Sequence, residues 1–451
     1  MNRVAKRAKY LSILIAFFIF CGAIFFNDYR MNASTWVVHP SNKNIYNNGE
    51  LTVAGTVYSS DGVKLLQSDS TGLHYADDAL IRKATLHVIG DKGNNITTGV
   101  LSSQKDKLIG YDILNGVYGA NNSNNNINLT INAELSAVAY DALGNHNGAV
   151  GIYNYETGEI LCMVSKVSYD PHNTPDLSQD IYDGVYINRV MNGLYVPGSI
   201  MKLVTAQAAI ETISDIHSQT FYCNHGTEVN GEWINCTGTH GTQTFEEALA
   251  NSCNAAFAEI SLQLGESTLQ EYASKAGITS SYTINGVKTS AGKFDVTNAA
   301  QVNLAWAGIG QYTTMVNPMQ YMMYVGAIAN GGTSVNPYYI DSSNFISSTI
   351  DSMMDNGTQV VDSSTAEQLT SLMRNNTVSN YGDYNFPDLE LCAKTGTAEV
   401  EDGAPHSWFV GFSDNPSTPI AFAIIVENGD GLTALSTSKT ILNQAASIYT
   451  K

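Results

Sequence analysis

The sequence predicts an α+β protein: an antiparallel five-stranded sheet flanked by helices, preceded by a membrane helix and a small β-rich module. Three observations carry that expectation. The apolar runs Gly148–Tyr153 and Ile160–Ser165, joined by Glu156-Thr157-Gly158, read as a β-hairpin. Helical apolar spacing then dominates up to about Asn330. Three further strand-like runs and a last helix close the chain, so strands from both ends of this region share one sheet with helices on its two faces.

The elements follow in order. Arg3, Lys6, Arg7 and Lys9 precede an uncharged stretch, Tyr10–Phe26, that includes Leu11, Ile13, Leu14, Ile15, Phe17, Phe18, Ile19 and Phe20. Its roughly 17 residues lie at the short end of what spans a bilayer, and the basic cluster holds that end in the cytoplasm with the remainder outside. No small-x-small cleavage site follows Phe26, so residues 1–26 are expected to stay as an anchor. Residues 27–126 are polar, rich in Asn, Ser and Gly, with β-like runs at Leu51–Tyr58 and Ala84–Ile89, and read as the small module. The low-complexity stretch Gly119–Asn126 marks a joint. Residues 127–451 form the larger unit. There Ile127–Ile131 reads as a strand entering a helix capped at Asn132, whose buried face is Leu135, Ala137, Val138, Ala139 and Leu143. Late strands are expected at Leu389–Val400, Ser407–Phe412 and Ile420–Val426, then a helix over Thr433–Tyr449 with Leu442, Ala445 and Ile448 on one face.

At 451 residues, 43% hydrophobic and 14% charged, the chain has room for two or three domains and a large core. Its formal net charge of -19 argues against a nucleic-acid partner. Six cysteines make no disulfide-rich framework in this length. Cys223 and Cys236 flank a polar turn and, with His225 and His240, make a loose set whose spacing fits no structural zinc pattern well. No metal and no cofactor is therefore expected, and the pair is left between a disulfide and free thiols. Cys162, Cys253 and Cys392 read as small apolar core residues.

The chemistry centres on Pro197-Gly198-Ser199-Ile200-Met201-Lys202. Positions three apart share a helix face, so the Lys202 amine reaches the Ser199 hydroxyl, a nucleophile with its base. Other Ser-x-x-Lys copies begin at Ser102, Ser290 and Ser436, but only after Ser199 does a long apolar run follow: Leu203, Val204, Ala206, Ala208, Ala209 and Ile210. Downstream come Ser252-Cys253-Asn254 and Lys394-Thr395-Gly396-Thr397. Ser413-Asp414-Asn415 is a more literal match to the middle motif, but it follows Lys394, so order favours Ser252. The ordered trio is a signature already attached to serine β-lactamases and penicillin-binding proteins.

Physical roles follow from the residue types. Ser199 at a helix start lies among free N–H groups and a positive dipole, which suit a carbonyl developing negative charge. Lys202 is useful only when neutral, which burial and a second cation, Lys394, would favour. Ser252, between the two lysines, relays a proton to the leaving amine, and Asn254 holds the substrate's peptide amide.

Over most of Ile127–Lys451 the chain resembles the transpeptidase domain of class B penicillin-binding proteins. The resemblance rests on Leu129-Thr130-Ile131, Tyr169-Asp170-Pro171, Tyr195-Val196-Pro197-Gly198-Ser199, His240-Gly241, Asn251-Ser252-Cys253-Asn254, Lys394-Thr395-Gly396-Thr397-Ala398-Glu399 and His406-Ser407-Trp408-Phe409-Val410-Gly411-Phe412. Gly55-Thr56-Val57-Tyr58 is similar to that family's non-catalytic amino-terminal module. The resemblance implies a β-lactamase/transpeptidase-like fold and a membrane-anchored, extracytoplasmic peptidoglycan D,D-transpeptidase. It would form a Ser199 acyl-enzyme from D-alanyl-D-alanine termini of stem peptides and be covalently inhibited by β-lactam antibiotics. It also implies other cell-wall proteins as partners, a glycosyltransferase among them, with the process served, elongation (cell shape), cell division or sporulation, left open. The backbone N–H groups of Ser199 and Thr397 would form the oxyanion pocket. The hydroxyls of Thr395 and Thr397 would hold the terminal carboxylate, with Gly396 between them, on a strand whose edge accepts a peptide. A D,D-carboxypeptidase, a serine β-lactamase, a β-lactam sensor and a division scaffold are the alternatives. His240 and His406 are expected to be structural, and Glu399 and Glu427 to be solvated or groove charges.

Overall fold

In the computed structural model, the residues described are 2–39, 41–43, 45–47, 50–51, 55–69, 71–111, 116, 125–341, 357–400, 403–429 and 431–449. The chain opens with one long helix, α1 (Asn2–Val37), long and apolar enough to cross a bilayer. Its apolar side chains, Phe18 and Phe25 among them, are exposed all round, as lipid contact requires. At 36 residues it runs well past the predicted stretch, because nothing between Asn27 and Val37 breaks a helix.

The small module is a four-stranded sheet in which β1 (Val57–Tyr58), β2 (Lys64–Asp69) and β3 (Gly72–Tyr75) are joined by β4 (Ile127–Asn128), which lies parallel to β1. Of the predicted run Leu51–Tyr58, residues 52–54 lie outside the described residues, as do 119–124 of the predicted joint. The predicted strand at Ala84–Ile89 is instead the second half of α2 (Ala79–Ile89), started by Asp78, whose carboxylate accepts the N–H of Leu80 at 2.7 Å and of Ile81 at 3.0 Å. Every residue from Ala84 to Ile89 is buried, so the run carries no helical period to betray it. Helix α2 packs against α3 (Ala133–Ala142) and β6 (Ile160–Lys166) of the larger unit. Arg82 clamps Asp170 there through two parallel 2.7 Å bonds.

In the larger unit, Asn132 caps α3 through a 2.8 Å bond to the Leu135 N–H. Leu135, Ala139 and Leu143 are buried, while Ala137 and Val138 are only half-buried. After β5 (Gly148–Asn154) and β6 come α4 (Lys202–Thr212), β7 (Thr220–Cys223), β8 (Gly226–Val229), β9 (Glu232–Asn235), β10 (Gly241–Thr244), α5 (Phe245–Ala250) and α6 (Asn254–Lys275). Helices α7 (Pro318–Ala329) and α8 (Ser363–Asn376) follow, then β11 (Leu391–Ala398), β12 (His406–Ser413), β13 (Ile420–Val426) and α9 (Ala434–Tyr449). The sheet order is β11-β12-β13-β5-β6, antiparallel throughout.

Alternation across this sheet divides the core. Val150, Ile152, Phe409, Phe422 and Ile424 face Leu135, Leu442 and Ala445 of α3 and α9. Trp408, Val410, Ala423 and Ile425 face the helical lobe of α4, α6 and α7. Both faces are covered, so the strands read as unbroken apolar runs. One edge is β11, the strand that carries Lys394, and the helical lobe rises beside it.

Candidate active site

Three close backbone approaches shape the turn that holds Ser199. Gly198 has φ +56°, donates its N–H to Gly310 O at 2.9 Å, and lies so near β11 that a Cβ there would sit 2.1 Å from Thr397 O. A Cβ on Gly310 would sit 2.0 Å from Gly198 O, and one on Gly396 would sit 2.9 Å from Pro197 O. Only glycine tolerates this packing. Behind the turn, Trp408 donates to Val196 O at 3.0 Å, and Tyr195 stacks edge-on against Trp408. Glu427 accepts from Tyr195 Oη at 2.7 Å and from Arg189 Nε at 2.8 Å, a half-buried, ion-paired anchor where a solvated or groove charge was expected. Ser199 itself occupies a 3-10 turn, Gly198–Met201, that leads into α4, where an α-helical start was expected.

The structure brings Ser199, Lys202, Ser252, Asn254 and Lys394 together. Lys202 is fully buried, with Nζ 3.1 Å from Ser199 Oγ, 2.6 Å from Ser252 O, 2.6 Å from Asn254 Oδ1 and 3.3 Å from Ser252 Oγ. The two shortest contacts are to oxygens that only accept, so each takes an N–H. A neutral amine has two hydrogens, and with both committed its lone pair is left for Ser199. Lys394, also fully buried, donates to Ser252 Oγ at 2.9 Å and to Thr395 O at 2.9 Å. Ser252 thus bridges the two amines, in a left-handed backbone conformation (φ +51°) that a serine adopts only under constraint.

Burial pushes the Lys202 amine down to about 8. Burial, and after it repulsion from Lys202, pushes Lys394 well below its ordinary range. The repulsion therefore falls on Lys394, whereas the sequence reading placed it on Lys202. Asn254 is committed on both sides: its Oδ1 takes Lys202, and its Nδ2 donates to Asn235 O at 2.8 Å.

On β11, Thr395 and Thr397 stand at the open edge. Tyr381, which no motif singles out, takes the Thr395 N–H on its hydroxyl at 3.2 Å and lies 3.2 Å from Thr395 Oγ1. Strand alternation aims the N–H of Thr397, two residues on, out of the same edge, and Thr397 is the exposed residue in an otherwise buried strand end. Gly396 is buried under Ile200.

The rival motifs are structural. Ser413 Oγ donates to Leu389 O at 2.7 Å inside the core, Ser290 Oγ donates to Asn192 O at 3.2 Å, and Ser436 Oγ accepts the Thr433 N–H at 3.1 Å. His406 accepts the Asn428 N–H and packs edge-on against Tyr195. All six cysteines are free. Cys253, expected in the apolar core, lies 3.8 Å from Cys236, and Cys236 lies 3.7 Å from His240 Nδ1. His225 contributes only its carbonyl, which accepts the Cys236 N–H at 2.8 Å.

With this geometry in place, the comparisons with known proteins agree. The family model described as the penicillin binding protein transpeptidase domain matches residues 148–447, and the chain belongs to that family. It is 26% identical over 400 residues to the peptidoglycan D,D-transpeptidase PbpA of Mycolicibacterium smegmatis, covering 82% of this chain and 76% of the relative. Among solved structures, the D,D-transpeptidase domain of a peptidoglycan glycosyltransferase from Eggerthella lenta superimposes with TM-score 0.72 at 22% identity, covering 88% of this chain and 98% of that one. The penicillin G acyl-enzyme of penicillin-binding protein A from M. tuberculosis gives TM-score 0.70 at 21% identity, covering 88% and 99%.

Proposed function

We propose that this chain is a membrane-anchored peptidoglycan D,D-transpeptidase that works through a Ser199 acyl-enzyme and is inactivated by β-lactams. The observation that carries the proposal is the placement of Lys202, whose two hydrogens are held by Ser252 O and Asn254 Oδ1 while its nitrogen faces Ser199 Oγ. Attack by Oγ on the carbonyl of a D-alanyl-D-alanine terminus passes the serine proton to Lys202. The oxyanion is received at the N–H groups of Ser199 and Thr397. As the C–N bond breaks, a proton reaches the departing D-alanine amine through Ser252, and an acyl ester remains. The amine of a neighbouring stem peptide then displaces Ser199 and forms the cross-link.

The terminal carboxylate is held by the hydroxyls of Thr395 and Thr397 beside Gly396. A negative group there favours the proton of the lysine pair on Lys394, which frees Lys202 as base. Asn254, already bonded to Lys202, acts mainly by orienting that amine, and its reach to the substrate's amide is secondary. Further proposals are that α1 crosses the membrane with the catalytic unit outside, that the unit begins near Ile127, and that other cell-wall synthesis proteins, including a glycosyltransferase, act with it.

A D,D-carboxypeptidase would differ only in handing the acyl group to water. A β-lactamase needs a base for rapid deacylation, and among the described residues no carboxylate is bonded to Ser199, Lys202, Ser252 or Lys394. Fluorescent penicillin tests the reading: the native chain is expected to take up one slowly released label and Ser199→Ala none. Rapid release would favour the β-lactamase, and labelling of the variant would exclude Ser199 as the nucleophile.

A further inference from the structure

We propose that Cys223, Cys236, His240 and Cys253 form a four-ligand structural zinc site that clamps the turn carrying Ser252 and Asn254. The ligand atoms of these four residues all lie within 4.8 Å of one another, and the three cysteines are buried. Zinc–sulfur bonds of about 2.3 Å and zinc–nitrogen bonds of about 2.0–2.1 Å in a tetrahedron place sulfurs about 3.8 Å apart and sulfur from nitrogen about 3.6 Å apart. The Cys236–Cys253 and Cys236–His240 separations of 3.8 and 3.7 Å have those edge lengths. Three soft thiolates and an imidazole in this geometry select zinc over calcium or magnesium.

The surroundings are those of bound thiolates. The Asn254 N–H points at Cys236 Sγ (3.2 Å) and the Ala256 N–H at Cys253 Sγ (3.5 Å), the kind of outer-shell donor that orients metal ligands. Four protein ligands leave no open position, so the ion takes no part in the reaction. Binding releases the thiol protons to solvent.

The ligands come from three places in the chain, which is why spacing alone did not show them. Cys223 ends β7 and pairs with Gly241 of β10, His240 immediately precedes β10, Cys236 immediately follows β9, and Cys253 caps α6. An ion here ties two hairpins to the residue between Ser252 and Asn254. Ser252 keeps a left-handed conformation that is strained for a serine, and such a conformation persists only where its neighbours are fixed. The four ligands are positioning residues: they hold Ser252 between the two lysines and Asn254 Oδ1 on Lys202.

The positioning role rests on the transpeptidase reading, whereas the metal readouts do not. The full chain, purified in detergent without chelator, should carry about one zinc by plasma mass spectrometry. After stripping, cobalt(II) should give the visible bands of a tetrahedral ion and near-ultraviolet sulfur-to-cobalt charge transfer, both lost in Cys223→Ser and His240→Ala. Zinc should shield Cys223, Cys236 and Cys253 from iodoacetamide in the native chain, a readout that stands if the variants fail to fold. Fluorescent-penicillin acylation should slow about tenfold on stripping and recover with zinc. A zinc-free chain that takes up none on reconstitution, an octahedral cobalt spectrum, or a Cys223–Cys236 disulfide in a non-reduced peptide map would overturn the site. Zinc binding with acylation unchanged by stripping would overturn the positioning role, and zinc binding to a chain that never acylates would overturn the transpeptidase reading alone.

Discussion

The acylation rate should rise with pH and level off near pH 8. Lys202 acts as base only when neutral, and burial lowers its pKa from 10.5 to about 8. Because the pKa is lowered, the productive form gains as pH climbs toward 8 and is nearly complete above it. At pH 7 about one molecule in ten has a neutral Lys202, against about one in three thousand for an ordinary lysine. Burial is thus worth roughly 300-fold in competent enzyme, or about 3 kcal/mol. The assay is the second-order rate constant for fluorescent-penicillin acylation of the full chain at constant ionic strength. Between about pH 6 and 7 it should rise nearly tenfold, with a plateau above about pH 8.5. Lys202→Arg, always charged, should be inactive at every pH. A flat profile, or a rate still climbing tenfold per unit beyond pH 9, would refute the assignment of Lys202 as the buried base.

Gly198→Ala forces a methyl to within 2.1 Å of Thr397 O at φ +56°, so acylation should be lost and the melting temperature lowered, read by label uptake and thermal unfolding. Tyr381→Phe removes the hydroxyl that takes the Thr395 N–H; a cost of about 1 kcal/mol corresponds to roughly fivefold slower acylation in a chain that still folds. Glu427→Leu leaves the Arg189 guanidinium, whose side chain is 8% exposed, without its carboxylate, and should cost about 3–5 kcal/mol in denaturant unfolding. Ser252→Ala takes away the bridge between the lysines and should slow acylation by about 10² or more, without loss of fold by circular dichroism.

Much of the fold was legible because its elements announce themselves locally. The hairpin at β5 and β6 and the strands β11 to β13 are apolar runs bounded by turn residues, and Asn132 and the terminal helix carry ordinary cap and face patterns. Helix α2 was misread as a strand because its second half is buried on every side. Of the candidate site, the motif residues that the structure brings together could be picked out by their order along the chain. What stayed hidden is contact between distant segments. Nothing near Tyr381 marks it as a partner of Thr395, nothing near Glu427 marks it as an anchor for Arg189 and Tyr195, and Cys253 looks apolar until the hairpins carrying Cys223 and Cys236 fold over it.

Part of what surrounds Ser199 belongs to the last part of the chain. Ser252 and Lys394 are 142 residues apart, and the Gly198 turn takes its form against Thr397 of the same late strand. A nascent or truncated polypeptide that stops short of β11 has the proposed nucleophile and proton acceptor, Ser199 and Lys202, but neither Lys394 nor the strand that Gly198 packs against. Covalent labelling by a β-lactam therefore counts molecules that have completed their final strands. In refolding trials or detergent screens, label per chain serves as a direct gauge of the native fraction.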